Sequence, residues 1–301
     1  MSLRVATFAN SQRLLNATLR TQARVSDMQM EQASGVVSTT YGGLGGSTKT
    51  LLSLESALAR TKAYGSASSE ASNRIQVMYS TLSGVTDLLT SFRSTLTQMM
   101  SSDANSTSLA ELSTTASGDM DELASLLNTN CEGRYLFAGD NTQTAPVDLT
   151  SYTPDLSTAS TSYYTGNDTI QSVQVSRSQT VSYGVTADNS AFEQAFRAMG
   201  SIASATSPAT EQLQSAYDLI SSALDAATGV QSSLSGKASS IDRAISQQSD
   251  YESQMSSTIS SLKDADVTSI AVQLSNYQTQ LEASYSAIAK VQSLSLVSYL
   301  K

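Results

Sequence analysis

The placement of proline constrains this chain more than any other feature. Its three prolines are Pro146, Pro154 and Pro208, so residues 1–145 and 209–301 contain none. An interior proline costs a helix about 3 kcal/mol, and flanks without it are free to form very long helices. The apolar spacing uses that freedom. Ile75, Met78, Leu82, Val85, Leu89, Phe92, Leu96 and Met99 follow one another in alternating steps of three and four. A longer series runs from Leu213 through Tyr217, Ile220, Leu224, Ala227, Leu234, Ala238, Ile241, Ile245, Met255 and Ile259 to Leu262, interrupted only by Gln231, Gln248 and Glu252. A third, Val267, Ile270, Leu274, Tyr277, Leu281, Ser284, Ile288 and Val291, is one residue out of phase with the second and predicts an irregularity near residues 263–266. A 3.5-residue repeat keeps a single seam facing a partner helix.

Two further helices are predicted. Residues 108–128 carry Leu109, Leu112, Ala116, Met120, Leu123 and Leu127 on one face, and residues 5–33 carry Phe8, Leu15, Leu19, Ala23 and Met30 on a looser stripe. Gly229 and Gly236 inside the longest series predict a local kink. From residue 131 to about 188 the grammar changes. This stretch holds two of the prolines, several turn residues, and period-two runs at residues 170–175 and at Val181, Tyr183 and Val185 that predict a hairpin. The expected fold is mainly α: a long coiled-coil-like helical bundle with paired N- and C-terminal helices and a small β-rich insertion domain. Residues 1–40 and 265–301 form the paired terminal helices, 47–130 and 190–264 the bundle, and 131–189 the insertion.

Composition removes most chemistry. The chain has no histidine and no tryptophan, and Cys131 is its only cysteine, so neither a Ser-His-Asp constellation nor a His/Cys zinc site can be assembled. No catalytic, cofactor or metal residue is expected, and the chain is not read as an enzyme. With 17 basic against 26 acidic residues the net charge is −9, which repels phosphate backbones and anionic membranes; nucleic acid is not an expected partner. No apolar run approaches the length that spans a bilayer, and MSLRVATFANSQRLLNATLR lacks the apolar stretch of a signal peptide. Hydroxyls replace the missing charges: serine and threonine together number 90 of 301 residues, while charged residues are 14%.

The remaining candidates have bland readings. In YGGLGGSTKT, residues 41–50, Thr48 stands before Lys49 where a phosphate loop needs glycine, so the segment reads as a flexible connector between helices. Asp119, Asp121 and Glu122 read as a solvated helix face, and Asp264 with Asp266 as a cap or turn. Cys131, with no imidazole to activate it, reads as a small, partly buried residue. Tyr152, Tyr163, Tyr164 and Tyr183 either pack a small sheet or stack on sugar rings.

GRYLFAGDNT, which leaves a long helix and enters the insertion at Gly133, Arg134, Tyr135, Leu136, Phe137, Ala138 and Gly139, resembles the segment at the same place in flagellar hook-filament junction proteins. DADVTSIAVQLSNYQTQLEASYSAIAKVQSLSLVSYL, residues 264–300, is similar to the C-terminal helix of the flagellin superfamily, and LRVATFANSQRLL to its N-terminal start. The resemblance implies a structural protein of the bacterial flagellum, outside the cell and exported without a cleaved signal peptide. It implies terminal helices stacking coaxially with those of other subunits and an insertion pointing outward. Implied partners are further copies of the chain, the first hook-associated protein, flagellin and an export chaperone, with no membrane insertion. The implied self-assembly surface is Phe8, Leu15, Leu19, Val267, Ile270, Leu274, Tyr277, Leu281, Ile288, Val291, Leu294 and Leu296. The terminal helices, having no partner for their seams in the free monomer, are expected to order on assembly. Alternatives are a flagellin filament subunit and a surface carbohydrate-binding module.

Overall fold

The computed structural model describes residues 2–101 and 106–293, with side chains from residue 9 onward except those of residues 10, 106 and 291–293. Its elements in chain order are α1 (Ser2–Ser34), a 3-10 helix (Tyr41–Ser47), α2 (Thr48–Ser101), α3 (Ser106–Leu127), β1 (Asn130–Cys131), β2 (Arg134–Tyr135), β3 (Ser172–Ser176), β4 (Gln179–Ser182), α4 (Ser190–Ala203), α5 (Thr210–Lys263) and α6 (Val267–Ser293). The mainly helical architecture and the paired terminal helices follow the sequence expectation. The chain divides into two compact units: Met1–Ala59 with Glu252–Lys301, and Arg60–Tyr251.

The hydroxyl-rich helices turn many of their hydroxyls back onto their own backbone. Thr81, Thr90, Thr97, Thr114, Thr228, Thr258 and Thr279 each donate to the carbonyl four residues back, at 2.7 to 3.1 Å. A serine or threonine that bonds its own helix no longer competes with the backbone for a non-helical conformation. At Gly229 and Gly236 the helix α5 stays unbroken, running from Thr210 to Lys263. A Cβ at either glycine would meet nothing within 4 Å, so both lie on the open side of the helix. Their propensity cost, about 1 kcal/mol each, is offset by packing of the opposite face. The glycine-rich connector joins the helices as two short 3-10 turns separated by a kink at Gly45, φ +56, and the Tyr41 hydroxyl donates to Glu55 Oε2 at 2.9 Å.

In the larger unit, Ile75, Met78, Leu82, Val85, Leu89, Phe92 and Leu96 are all buried, as their spacing predicts. They share a core with Leu112, Ala116, Leu123 and Leu127 of α3 and with the alternate seam positions of α5 from Leu213 to Ile241. The helix α4 falls within the expected bundle, residues 190–264. Asn189 caps it by accepting from the Ala191 amide at 3.1 Å, and ten of its residues are buried, Phe192, Phe196 and Met199 among them. It packs on α3, where the Ser113 hydroxyl donates to Ala203 O at 2.7 Å and Gly200 lies beside Met120.

The insertion is mostly turns tied by side chains. Asp148 Oδ1 accepts from the Thr150 amide and Asp155 Oδ1 from the Ser157 amide, both at 2.9 Å. Among the described residues the strands form two antiparallel pairs, β1–β2 and β3–β4, and Val147 and Tyr164 make an isolated antiparallel bridge. The predicted hairpin over residues 170–185 is present as β3–β4. A ring cluster closes the core of the insertion: Tyr163 and Phe196 lie 4.4 Å apart between centroids, and Tyr152 sits edge-on to Tyr163 at 5.3 Å. Burial pushes the Tyr152 phenol from 10.0 up to about 12, and it raises Tyr163 as well. Below pH 10 both phenols are neutral in the folded and unfolded chain alike, so their burial costs no charge. Above it the unfolded chain ionises first, and stability falls as pH rises toward the folded values. Alkaline titration should therefore show these phenols ionising together with unfolding between about pH 10 and 12. The readout is tyrosinate absorbance followed alongside far-UV circular dichroism, and smooth ionisation with the helices intact would contradict the assignment.

Candidate functional site

The smaller unit presents the surface that the sequence singled out. Gly35, at φ +70, ends α1, and its amide donates to Glu31 O at 2.8 Å. That glycine cap turns the chain so that Val37 N donates to Lys263 O and Ala265 N donates to Gly35 O, at 2.8 and 2.9 Å. This backbone clasp sits where the third apolar series slips out of phase with the second. Asp266 then starts α6, its Oδ1 accepting from the Ser269 amide at 3.0 Å, which is the capping use expected of it. Lys263 and Tyr41 both bond Glu55, at 3.3 and 2.9 Å, and the acceptor carboxylate raises the Tyr41 phenol.

From the clasp, α6 runs back antiparallel along α1. Arg24 Nη1 donates to the Tyr277 hydroxyl at 3.2 Å with its guanidinium 5.9 Å from that ring, and the Tyr285 hydroxyl donates to Gln22 Oε1 at 3.4 Å. Little is buried by this pairing. Among the described side chains of the two helices only Thr18, Val25, Ile270 and Leu274 are buried. Thr18 is satisfied by Leu14 O at 2.9 Å. Leu15, Leu19, Met30, Val267, Val272 and Tyr285 stay exposed, Leu19 at 52%. Leu15, Leu19 and Met30 recur at helical spacing on one side of α1, about 100° round from the stripe holding Thr18 and Val25.

The predicted assembly residues thus separate into groups. Ile270 and Leu274 are buried within the subunit, and Tyr277, Leu281 and Ile288 are half-buried on the same stripe. Leu15, Leu19 and Val267 remain outward. Phe8 and Val291 lie in helices, in stretches whose side chains are not described, and Leu294 and Leu296 lie outside the described residues. Met30 and Val272 belong to the exposed apolar set, and the α6 periodicity gave no signal for Val272.

The motif at residues 133–139 has a separate, structural use. Glu132 and Gly133 take φ +53 and +77 in the tight turn between β1 and β2. Leu136, Phe137 and Ala138 are buried behind it, Phe137 edge-on to Phe192 at 6.1 Å, while Arg134 is exposed and Tyr135 half-buried. Phe137 O accepts from Ala187 N at 2.9 Å, and Ala138 O accepts from Asn167 N at 3.2 Å. Gly139, at φ +68, leaves room for Asn167, whose carbonyl a Cβ would strike. The motif is therefore the seam along which the insertion joins the bundle.

Other candidates resolve simply. Asp121 and Glu122 are exposed, and Asp119 is half-buried with its carboxyl raised by burial and then by Glu122. Cys131 is partly buried and free. Tyr152, Tyr163 and Tyr183 are buried in the core, which leaves Tyr164 as the half-buried remainder of the proposed sugar platform. Among the described residues no helix is long and apolar enough to cross a membrane, and no group of acidic or cysteine side chains could hold a metal.

Comparison with known proteins agrees with this geometry. A family model described as the bacterial flagellin N-terminal helical region matches residues 5–142, and one described as the bacterial flagellin C-terminal helical region matches residues 217–300. No curated protein sequence matches the chain. Among solved structures, one described as a flagellar hook-associated protein from Vibrio parahaemolyticus superposes with TM-score 0.60 at 18% identity, covering 71% of this chain and 96% of its own. FlgL of Bacillus cereus gives 0.57 at 14%, covering 69% and 98%. A flagellar hook associated protein-3 from Legionella pneumophila gives 0.56 at 14%, covering 69% and 98%. At these identities the superpositions speak to fold.

Proposed function

The chain belongs to the bacterial flagellin family, and from that premise we propose that it is a structural subunit of the flagellum that joins hook to filament and assembles through its terminal helices. The observation that carries this reading is the α1–α6 pair, which leaves Leu15, Leu19 and Met30 exposed on one stripe. An apolar stripe beside an already paired seam is what a helix needs to contact a second subunit. The hydroxyls on these helices support the same use. Thr21, Thr279 and Ser284 already bond their own backbone, so covering them strands few polar groups. The hook-associated names carried by structures of the same fold favour the junction over the filament proper. On this reading its partners are further copies of itself, the first hook-associated protein, flagellin and an export chaperone, and its place is outside the cell.

Electron microscopy of detached filaments tests the proposal. An antibody against residues 145–187 should give a band confined to the proximal end. Labelling along the whole length would make the chain a filament subunit.

The thin burial of α1 and α6 has a measurable consequence in the free monomer. With so few side chains covered, both helices should open far more often than the bundle. Hydrogen exchange on the monomer is expected to find fast exchange over residues 11–33 and 267–290, against strong protection over 75–96. Equal protection of both regions would overturn the idea that the terminal helices complete their burial on assembly.

A further inference from the structure

Two features of the sequence look unfavourable alone and satisfy each other in the fold. The first is Gln248, an amide in the apolar seam of α5, and it is buried. The second is a bulge in the β3–β4 hairpin. Its register runs Ser172↔Ser182, Val173↔Val181 and Gln174↔Thr180 and resumes at Ser176↔Gln179, which leaves Val175 without a partner residue in β4. A bulge withdraws a residue from the ladder and re-aims its backbone. Val175 is fully buried, so its carbonyl would be a stranded acceptor. Gln248 Nε2 donates to that carbonyl at 2.7 Å, within the buried interior.

We propose that Gln248 is the latch that docks the β3–β4 hairpin on α5 and fixes where along the helix it sits. The apolar side chains around it, Val173, Val175 and Val181, supply area without direction, because a purely apolar seam accepts a valine one turn up or down almost equally well. A single polar residue in a coiled-coil seam removes that freedom, since only one register satisfies it. The hairpin's base is anchored independently: Gln171 Nε2 donates to Gly139 O at 2.6 Å, and Tyr183 N donates to Gln171 O at 2.8 Å. Losing the latch therefore frees the outer end of the hairpin while its base stays attached. The polar, exposed residues Ser172, Gln174 and Thr180 on the hairpin's outer face take their position along α5 from this one bond.

Arg177 supplies the readout. It lies exposed at the turn between β3 and β4 and is the only lysine or arginine between Arg134 and Arg197. In the full chain, Gln248→Met keeps the side-chain length and removes the donor. Tryptic cleavage at Arg177 is expected to accelerate about tenfold, the factor for one lost hydrogen bond to a buried carbonyl. Gln231→Met, at the other glutamine of the same seam, should leave that rate unchanged. An unaltered rate in Gln248→Met, or equal acceleration by Gln231→Met, would overturn the latch. Should Gln248→Met fail to fold, Gln248→Asn, which is too short to reach Val175 O, takes its place. It too should accelerate cleavage at Arg177, and a wild-type rate in that variant would also overturn the proposal.

Discussion

Leu19→Asp is expected to abolish motility and incorporation into the flagellum while leaving the purified monomer as stable as the parent. Leu19 is 52% exposed on α1, so the monomer loses little apolar burial, and a surface change of this kind usually alters stability by less than about 0.5 kcal/mol. In the proposed assembly the same position is covered. Burying the exposed half of a leucine side chain there contributes up to about 1.5 kcal/mol, and an unpaired carboxylate in its place adds a desolvation penalty of several kcal/mol more. Every subunit repeats the loss. Leu274→Asp is the informative contrast, because Leu274 is 9% exposed and packed within the subunit. That variant should lose assembly and the α1–α6 pair together, so its monomer should also lose helix by circular dichroism. Soft-agar motility, sedimentation of filaments and thermal unfolding separate the two cases. Normal motility in Leu19→Asp would show that this stripe is not the subunit contact.

That contrast also marks how far the sequence could be read. Spacing located α5 and α6 and the break between them, because a heptad seam needs only local regularity and the phase slip at residues 263–266 is local too. The same spacing could not say whose helix covers the seam. Ile270 and Leu274 stand among the expected assembly contacts and are already buried in the single chain, since a helix partner looks alike in the sequence whether it comes from this copy or the next. Gly229 and Gly236 illustrate a related point. Their intrinsic cost is visible in the sequence, whereas the packing on the far side of α5 that offsets it is not. The helix α4 carries a readable signal in the Asn189 cap followed by Phe192, Phe196 and Met199 on one face. The bond from Gln248 to Val175 spans 73 residues and joins two elements that no local pattern connects.

Phe196→Ala is expected to cost the larger unit about 3–5 kcal/mol, a large share of the 5–15 kcal/mol typical of a whole domain. Phe196 is fully buried and is the point where three parts of the chain meet: Tyr163 lies 4.4 Å away and Tyr152 6.3 Å away, both from the insertion, while the ring itself is carried by α4. Its removal withdraws a partner from both tyrosines at once. The Tyr163 hydroxyl, which donates to Ala187 O at 3.0 Å, would then face a cavity large enough to admit water. The damage should be local before it is global. Protection from exchange should fall first across residues 147–165 and α4, because these segments close on the ring. The seam at Ile75 to Leu96 should hold longer, since its burial is repeated turn after turn along α2. Thermal unfolding by circular dichroism should then show a low-temperature transition absent from the parent chain, and near-UV tyrosine signal should be lost in that first step. A single cooperative transition shifted by less than about 1 kcal/mol would mean that the ring cluster is a decoration on the bundle and does not fasten the insertion to it.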